Sequence, residues 1–130
     1  MRSKHSMGLV VVEKFRLDAD LQYFNALIDC LRDFCNKPLQ PEAEQVLHDI
    51  QTFLVQRFEF EIEIMEFNQH QDLEFHRQQH EYILKTLLWS IMMIHKAKYI
   101  MPDLCDFLSD WFRFHSEQLD ADLCGLLIPQ

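Results

Sequence analysis

Apolar residues recur every three or four positions along most of the chain, which is the spacing of an amphipathic α-helix. The first segment of this kind follows Asp18, a residue suited to an N-cap, and stops before Pro38. Its apolar positions are Leu21, Phe24, Leu27, Ile28, Leu31 and Phe34. The spacing predicts a first helix of about 18 residues.

A second helix is predicted to begin at Pro41, where the missing N–H of proline costs no hydrogen bond. Two charged residues, Arg57 and Glu61, share its otherwise apolar stripe. The apolar members of the stripe are Val46, Ile50, Phe53, Leu54 and Met65. Residues 57–64 also alternate between charged and apolar side chains, which is the two-residue period of a strand. The long helical pattern before them, and the lack of a convincing partner strand, favour a helix.

Two more helices complete the pattern. The third is predicted to begin after Asp72 and to end near His95, and the fourth to run from Asp103 to Gly125. The inward positions of the third are Leu73, His76, His80, Leu84, Leu87, Leu88 and Ile91. Those of the fourth are Leu104, Phe107, Leu108, Trp111, His115 and Leu119. Four helices with short connections predict an all-α, up-down-up-down four-helix bundle.

The bundle is predicted to form one domain over residues 18–126. Residues 8–17 mix β-branched and basic side chains without helical spacing, so residues 1–17 are predicted to be an extended N-terminal arm. Residues 127–130 are predicted to be a short C-terminal tail. A chain of 130 residues is long enough for one core and too short for two.

The composition is typical of a helical protein, and its charge argues against two classes of binding partner. The chain has only two Gly and four Pro, too few for many hairpins or irregular loops. Its formal net charge of −9 argues against nucleic acid and anionic membranes, because few cations are available to neutralise phosphates. No apolar run reaches about 18 residues, so the cytoplasm is the predicted compartment. The four Cys form no CxxC pair and are expected to be isolated, buried and reduced.

The candidate chemistry lies in the histidines. His76 and His80 are four residues apart, so they lie one turn apart on the same face of a helix. This is how a helix presents two imidazoles to one metal ion. His115 and Asp120, on the fourth helix, are further candidate ligands.

These positions, taken with the four-helix pattern, resemble the hemerythrin family, most closely its single-domain bacterial form. The matching residues are Phe58, Glu61 and Met65 on the second helix, His76 and His80 on the third, and Trp111, His115 and Asp120 on the fourth. The resemblance implies a non-haem di-iron site in the bundle core that binds dioxygen reversibly at one iron. It further implies that three histidines hold the other iron, while two carboxylates bridge the pair. These would be His76, His80 and His115, with Glu61 and Asp120 as the bridges.

Two positions depart from the family pattern. Arg57 and Leu21 stand where the resemblance places the histidines of the dioxygen-binding iron. Arg57 is one helical turn before Glu61 and therefore lies beside it on the same face. Because a guanidinium can neutralise carboxylates that lack a bridging cation, we hypothesise that Arg57 replaces the second metal and pairs with Glu61 and Asp120. One metal ion per chain is then expected, with iron favoured and zinc or manganese compatible with the same ligands.

Two alternatives to the single-metal site stay open. A di-iron, oxygen-binding site could persist with substitute ligands from the first helix, namely Tyr23, Asp20 or Gln22. The histidines could instead be hydrogen-bonded to Glu61 and Asp120 in a metal-free polar core. In that case the scaffold is expected to be an interaction module that binds a protein partner or forms a homodimer.

The expected function of the metal-bound form is sensing of dioxygen, nitric oxide or redox state, or metal handling. A small diatomic molecule is the expected ligand of an open coordination position. No arrangement of a nucleophile with an acid or base indicates an enzyme.

Overall fold

The computed structural model of the chain describes residues 19–69 and 71–127, with side chains up to Gln118. The described chain is all-helical, as predicted. Helix α1 covers residues 19–32, and three longer helices follow. These are α2 (Pro41–Phe67), α3 (Leu73–Ala97) and α4 (Pro102–Leu127). The predicted N-terminal arm at residues 1–17 lies outside the described residues, as do residues 128–130 of the predicted tail.

Helix α2 runs without interruption through the alternating segment 57–64. The buried residues of this segment and the position after it follow the helical period: Arg57, Phe58, Glu61, Ile64 and Met65. A helix buries this set together, whereas a strand would divide it between two faces. The helical prediction for this segment is therefore confirmed.

The predicted end of the last helix and one inward position are wrong, whereas the first helix ends before Pro38, as predicted. Helix α1 ends at residue 32, and Asn36 then takes a left-handed backbone conformation with φ of 61°. Helix α4 continues through Gly125, because a glycine costs a helix interior only about 1 kcal/mol and apolar residues follow it. Leu88 is 50% exposed, since the face that α3 buries passes through Leu87 and leaves its neighbour outside.

An apolar core occupies the part of the molecule where all four helices contribute fully buried side chains. Its members include Phe24 from α1, Leu54 from α2, Leu87 from α3 and Phe112 from α4. The rings of Phe24 and Phe112 pack with their centroids 4.4 Å apart. A second, smaller apolar cluster forms around Ile64 and Met65 further along α2. The buried charged residues of α2 lie along the helix between these two apolar regions.

Two connections lie side by side at one end of the molecule. The segment 33–40, between α1 and α2, meets the segment 98–101, between α3 and α4. The backbone N–H of Asn36 donates to the carbonyl of Ile100 at 3.1 Å, and that of Leu39 donates to the carbonyl of Lys98 at 2.8 Å. These hydrogen bonds fix the ends of the helices relative to one another. No helix among the described residues has the length and apolar character required to cross a membrane.

Candidate metal centre

Three histidine side chains converge inside the bundle. His76 and His80 come from α3 and His115 comes from α4, and all three are buried. Each ring offers one nitrogen as a candidate ligand atom, and these three nitrogens all lie within 4.8 Å of one another. The four-residue spacing on α3 places the first two on one face, and the packing of α4 brings the third against them. These three residues are therefore close enough to hold one metal ion.

The carboxylate of Glu61 lies against two of these rings. Its Oε1 atom is 2.9 Å from Nε2 of His80 and 2.7 Å from Nε2 of His115. The two Nε2 atoms are 3.1 Å apart. A neutral imidazole carries one N–H, so a ring whose Nε2 is protonated donates to Glu61, and an ion bound at Nε2 would take the place of that proton. One carboxylate oxygen and two ring nitrogens thus form a compact triangle.

This triangle has the dimensions of a metal ligand set. Two atoms bound to one ion at about 2.1 Å and at right angles lie about 3 Å apart. The three separations among Glu61, His80 and His115 are 2.9, 2.7 and 3.1 Å. The third imidazole, that of His76, lies within 4.8 Å of the other two, and histidine nitrogens with a carboxylate oxygen suit iron, zinc or manganese. The residues present therefore fit a metal ion of this type.

Burial and hydrogen bonding set the charge of these ligands. Burial by itself raises the pKa of the Glu61 carboxyl, but the hydrogen bonds from His115 and His80 outweigh it and hold this pKa well below its usual range. The charge of Arg57 acts in the same direction. Burial lowers the pKa of His80. The contact with Glu61 raises this pKa, but by less than burial lowers it. The site therefore presents an ionised carboxylate and a neutral imidazole, which are the forms that bind metal.

Arg57 lies next to this cluster and is only 1% exposed. Its Nε donates to Oε2 of Glu61 at 2.7 Å, and its Nη1 donates to Oδ2 of Asp20 at 2.8 Å. The pair with Glu61 has the geometry that the four-residue spacing suggested. The contact with Asp20, on α1, was not anticipated. The side chain of Asp120, the other expected partner, lies outside the described residues.

The residues of α1 considered as substitute ligands have different surroundings in the structure. Asp20 contacts Arg57, as described above. Tyr23 is 51% exposed and lies against Phe53, with ring centroids 5.3 Å apart. Gln22 is exposed, and Leu21 packs against the apolar core.

Two aromatic rings hold the imidazoles in position. The ring of Phe58 stacks on His80 with centroids 4.0 Å apart and an interplanar angle of 3°. The indole of Trp111 stacks on His115 at 4.7 Å and 10°. The sequence singled out both aromatic residues as matching positions, but their contacts with the imidazoles depend on how α2, α3 and α4 pack. Each ring covers one face of a candidate ligand and keeps water from it.

A cavity of about 100 Å³ opens beside His115. Its lining is formed by Gln79, Trp111, Phe114, His115 and Gln118. The Oε1 atom of Gln79 is buried and has no hydrogen-bond partner among the described residues. Since a water molecule takes up about 30 Å³, the cavity has room for a molecule of two atoms. Sequence reasoning did not single out Gln79, because one glutamine on a helix gives no pattern.

Comparisons of the chain with models of protein families, with curated proteins and with solved structures found no significant match. The structure itself provides an all-α, four-helix fold and a buried cluster of three histidines that could hold a metal ion. The fold and the histidine cluster together define a helical protein with a candidate metal centre.

Proposed function

We propose that this protein is a hemerythrin-like metal-binding protein with an up-down-up-down bundle and one iron ion per chain. The proposed ligands are three histidines and one carboxylate: His76, His80, His115 and Glu61. The observation that carries the proposal is the meeting of three buried imidazoles, two of which contact the carboxylate of Glu61 at the separations of neighbouring metal ligands. Asp120 is a further proposed ligand by resemblance to the family.

The position of Arg57 supports one ion rather than two. Its guanidinium is always charged and lies between Glu61 and Asp20, where it provides the positive charge that a second ion would supply. A second cation beside it would be repelled and would have to compete for the same carboxylates. The exposed position of Tyr23 also counts against a second iron held by substitute ligands.

The proposed role is sensing of dioxygen or nitric oxide. A ferrous ion held by histidines and a carboxylate would supply an open coordination position for such a ligand. The cavity beside His115 gives a small molecule room next to the site. Phe58 and Trp111 shield the imidazoles, which limits the access of water.

Elemental analysis tests the metal content. Protein produced in iron-containing medium and purified without added metal is expected to carry close to one iron per chain. His76→Ala should lose most of this iron, whereas His48→Ala, which removes an exposed histidine of α2, should keep it. A content near two, or equal content in both variants, would contradict the proposal.

Spectroscopy tests the ligand. The ferrous protein under argon is expected to gain a visible absorption band when nitric oxide or air is admitted, and His76→Ala should gain none. Full iron occupancy with an unchanged spectrum would assign the protein to metal handling instead of gas sensing.

A second candidate function is a metal-free interaction module that pairs two copies of this chain. It is favoured by an exposed apolar patch on α3 and the connection after it, where Trp89 and Met92 are each 62% exposed and Met101 is 59% exposed. Monomeric proteins seldom expose a large contiguous apolar surface of this kind. Sedimentation equilibrium separates the candidates: a dimer that contains no metal supports the module, and an iron-loaded monomer excludes it.

A further inference from the structure

Two cysteine thiols face each other where the connection between α1 and α2 meets the start of α4. The Sγ atom of Cys35 lies 3.7 Å from the Sγ atom of Cys105. Cys35 lies just after α1, and Cys105 lies in the first turn of α4. The sequence suggested isolated thiols because it has no CxxC pair, but the fold brings together two that are 70 positions apart.

The surroundings of the two thiols differ. Cys105 is fully buried in the apolar core, whereas Cys35 is only partly buried, so solvent can reach it. Next to Cys35, the backbone N–H of Asn36 donates to the carbonyl of Ile100. This hydrogen bond holds the segment that carries Cys35 against the segment that leads into α4.

The thiol pair is separate from the candidate metal centre. Cys105 and His115 are ten residues apart on α4, which corresponds to about 15 Å of helix. Neither thiol contacts a proposed metal ligand among the described contacts. A reaction at the thiols can therefore be tested independently of metal binding.

We propose that Cys35 and Cys105 are a redox site that forms a reversible intramolecular disulfide when the protein meets a peroxide. The sulfur atoms of a disulfide are about 2.0 Å apart, so the two Sγ atoms must approach by roughly 1.7 Å. Rotation of the side chains about their Cα–Cβ bonds moves sulfur atoms over such distances. The bond would join the connection after α1 to α4.

Cys35 reacts first because it is the thiol that solvent reaches. Its thiolate attacks one oxygen of hydrogen peroxide, the O–O bond breaks, and the departing hydroxide takes up a proton to become water. The sulfur of Cys105 then attacks the sulfenic acid formed on Cys35. The S–OH bond breaks, and the hydroxide leaves with the proton of the second thiol as another water. The two thiols lose two electrons and two protons, and the peroxide becomes two waters.

The environment of Cys105 suits this order of steps. Burial, followed by the hydrogen bond with Cys35, raises the pKa of Cys105 to about 12. A thiol of this kind is a poor nucleophile toward peroxide in solution, whereas the sulfenic acid on Cys35 forms in contact with it and the departing hydroxide takes up the thiol proton. It serves as the resolving thiol that captures the oxidised sulfur beside it.

Mass spectrometry of the folded protein tests the proposal. Protein treated with a slight excess of hydrogen peroxide, alkylated and digested is expected to yield a peptide pair joined through Cys35 and Cys105. Dithiothreitol should reverse the link. Cys105→Ala should instead leave Cys35 as a sulfenic acid that dimedone labels.

Cys30→Ser provides the matched control, since it removes an exposed cysteine of α1 and should leave the link unchanged. Oxidation in concentrated urea should lose the preference for this pair, because the preference comes from the fold. The proposal is wrong if peroxide leaves both thiols free in the folded protein, or if Cys35 links mainly to another cysteine.

Discussion

Arg57 supplies a buried positive charge beside the carboxylates of the core. Its guanidinium is buried and donates to Glu61 on its own helix and to Asp20 on α1. Removing one partner of a buried ion pair leaves an uncompensated charge, which costs more than the pair contributes. An exposed pair has no such cost, because water solvates each partner.

Arg57→Ala is therefore expected to destabilise the metal-free protein by about 3–5 kcal/mol, measured by urea unfolding. Arg77→Ala is the matched control, since Arg77 pairs with Glu66 at the surface with about half of each side chain exposed. That control should cost no more than about 1 kcal/mol. Equal losses for the two variants would mean that the buried pair has no special role.

Substitution of Arg57 also tests how many metal ions each chain binds. Replacing Arg57 and Leu21 together by His supplies two imidazoles where the hemerythrin resemblance places them. Removing the guanidinium also frees Glu61 to bind a second ion. The double variant is expected to raise the iron content from near one to near two per chain by elemental analysis. The control double variant Arg57→Gln with Leu21→Met adds no imidazole, so its iron content should stay near one per chain. An iron content near one in the histidine variant as well would mean that Arg57 and Leu21 do not occupy the positions of the family's histidines.

At the scale of elements, the backbone conformation of one residue in helix α4 differs from that of one residue in the connection after α1. Gly125 lies inside α4, and no glycine of the described chain has a positive φ. Asn36, in contrast, has φ of 61°, a conformation that costs residues with a Cβ about 1–2 kcal/mol. Asparagine tolerates this conformation better than most residues.

Gly125→Ala is thus expected to stabilise the protein by up to about 1 kcal/mol, because alanine loses less backbone entropy in a helix. Asn36→Ala should destabilise it by a similar amount, because alanine is poorly suited to the left-handed region. Chemical unfolding of both variants measures the difference. A loss of stability in Gly125→Ala would indicate that this glycine ends α4, as its sequence position suggested.

The helices could be predicted from the sequence because their periodicity is a local property. His76 and His80 were found for the same reason, since both lie on one helix. The contact between Arg57 and Asp20 could not be found in this way, because it depends on how α1 lies against α2. The thiol pair was missed for a similar reason, as it brings the connection after α1 against the first turn of α4, far along the chain. Local pattern thus predicted the elements, and tertiary packing decided which polar groups meet.

At the scale of the whole molecule, the candidate metal centre joins three helices. The candidate ligands His76 and His80 come from α3, His115 from α4 and Glu61 from α2. The buried guanidinium of Arg57 connects this set to α1 through Asp20. An unfolded chain cannot bring these groups together, so a metal ion should bind the folded state alone.

Ferrous iron added anaerobically to the metal-free protein is therefore expected to raise its unfolding temperature. At a free iron concentration a thousandfold above the dissociation constant, the folded state gains about 4 kcal/mol. His115→Ala should lose this gain, because it removes the ligand of α4 and leaves α3 alone to supply imidazoles. His48→Ala should retain it, since His48 is exposed on α2. Equal thermal shifts in these two variants would show that the ion binds at the surface, where an acidic chain with a net charge of −9 attracts cations without a site.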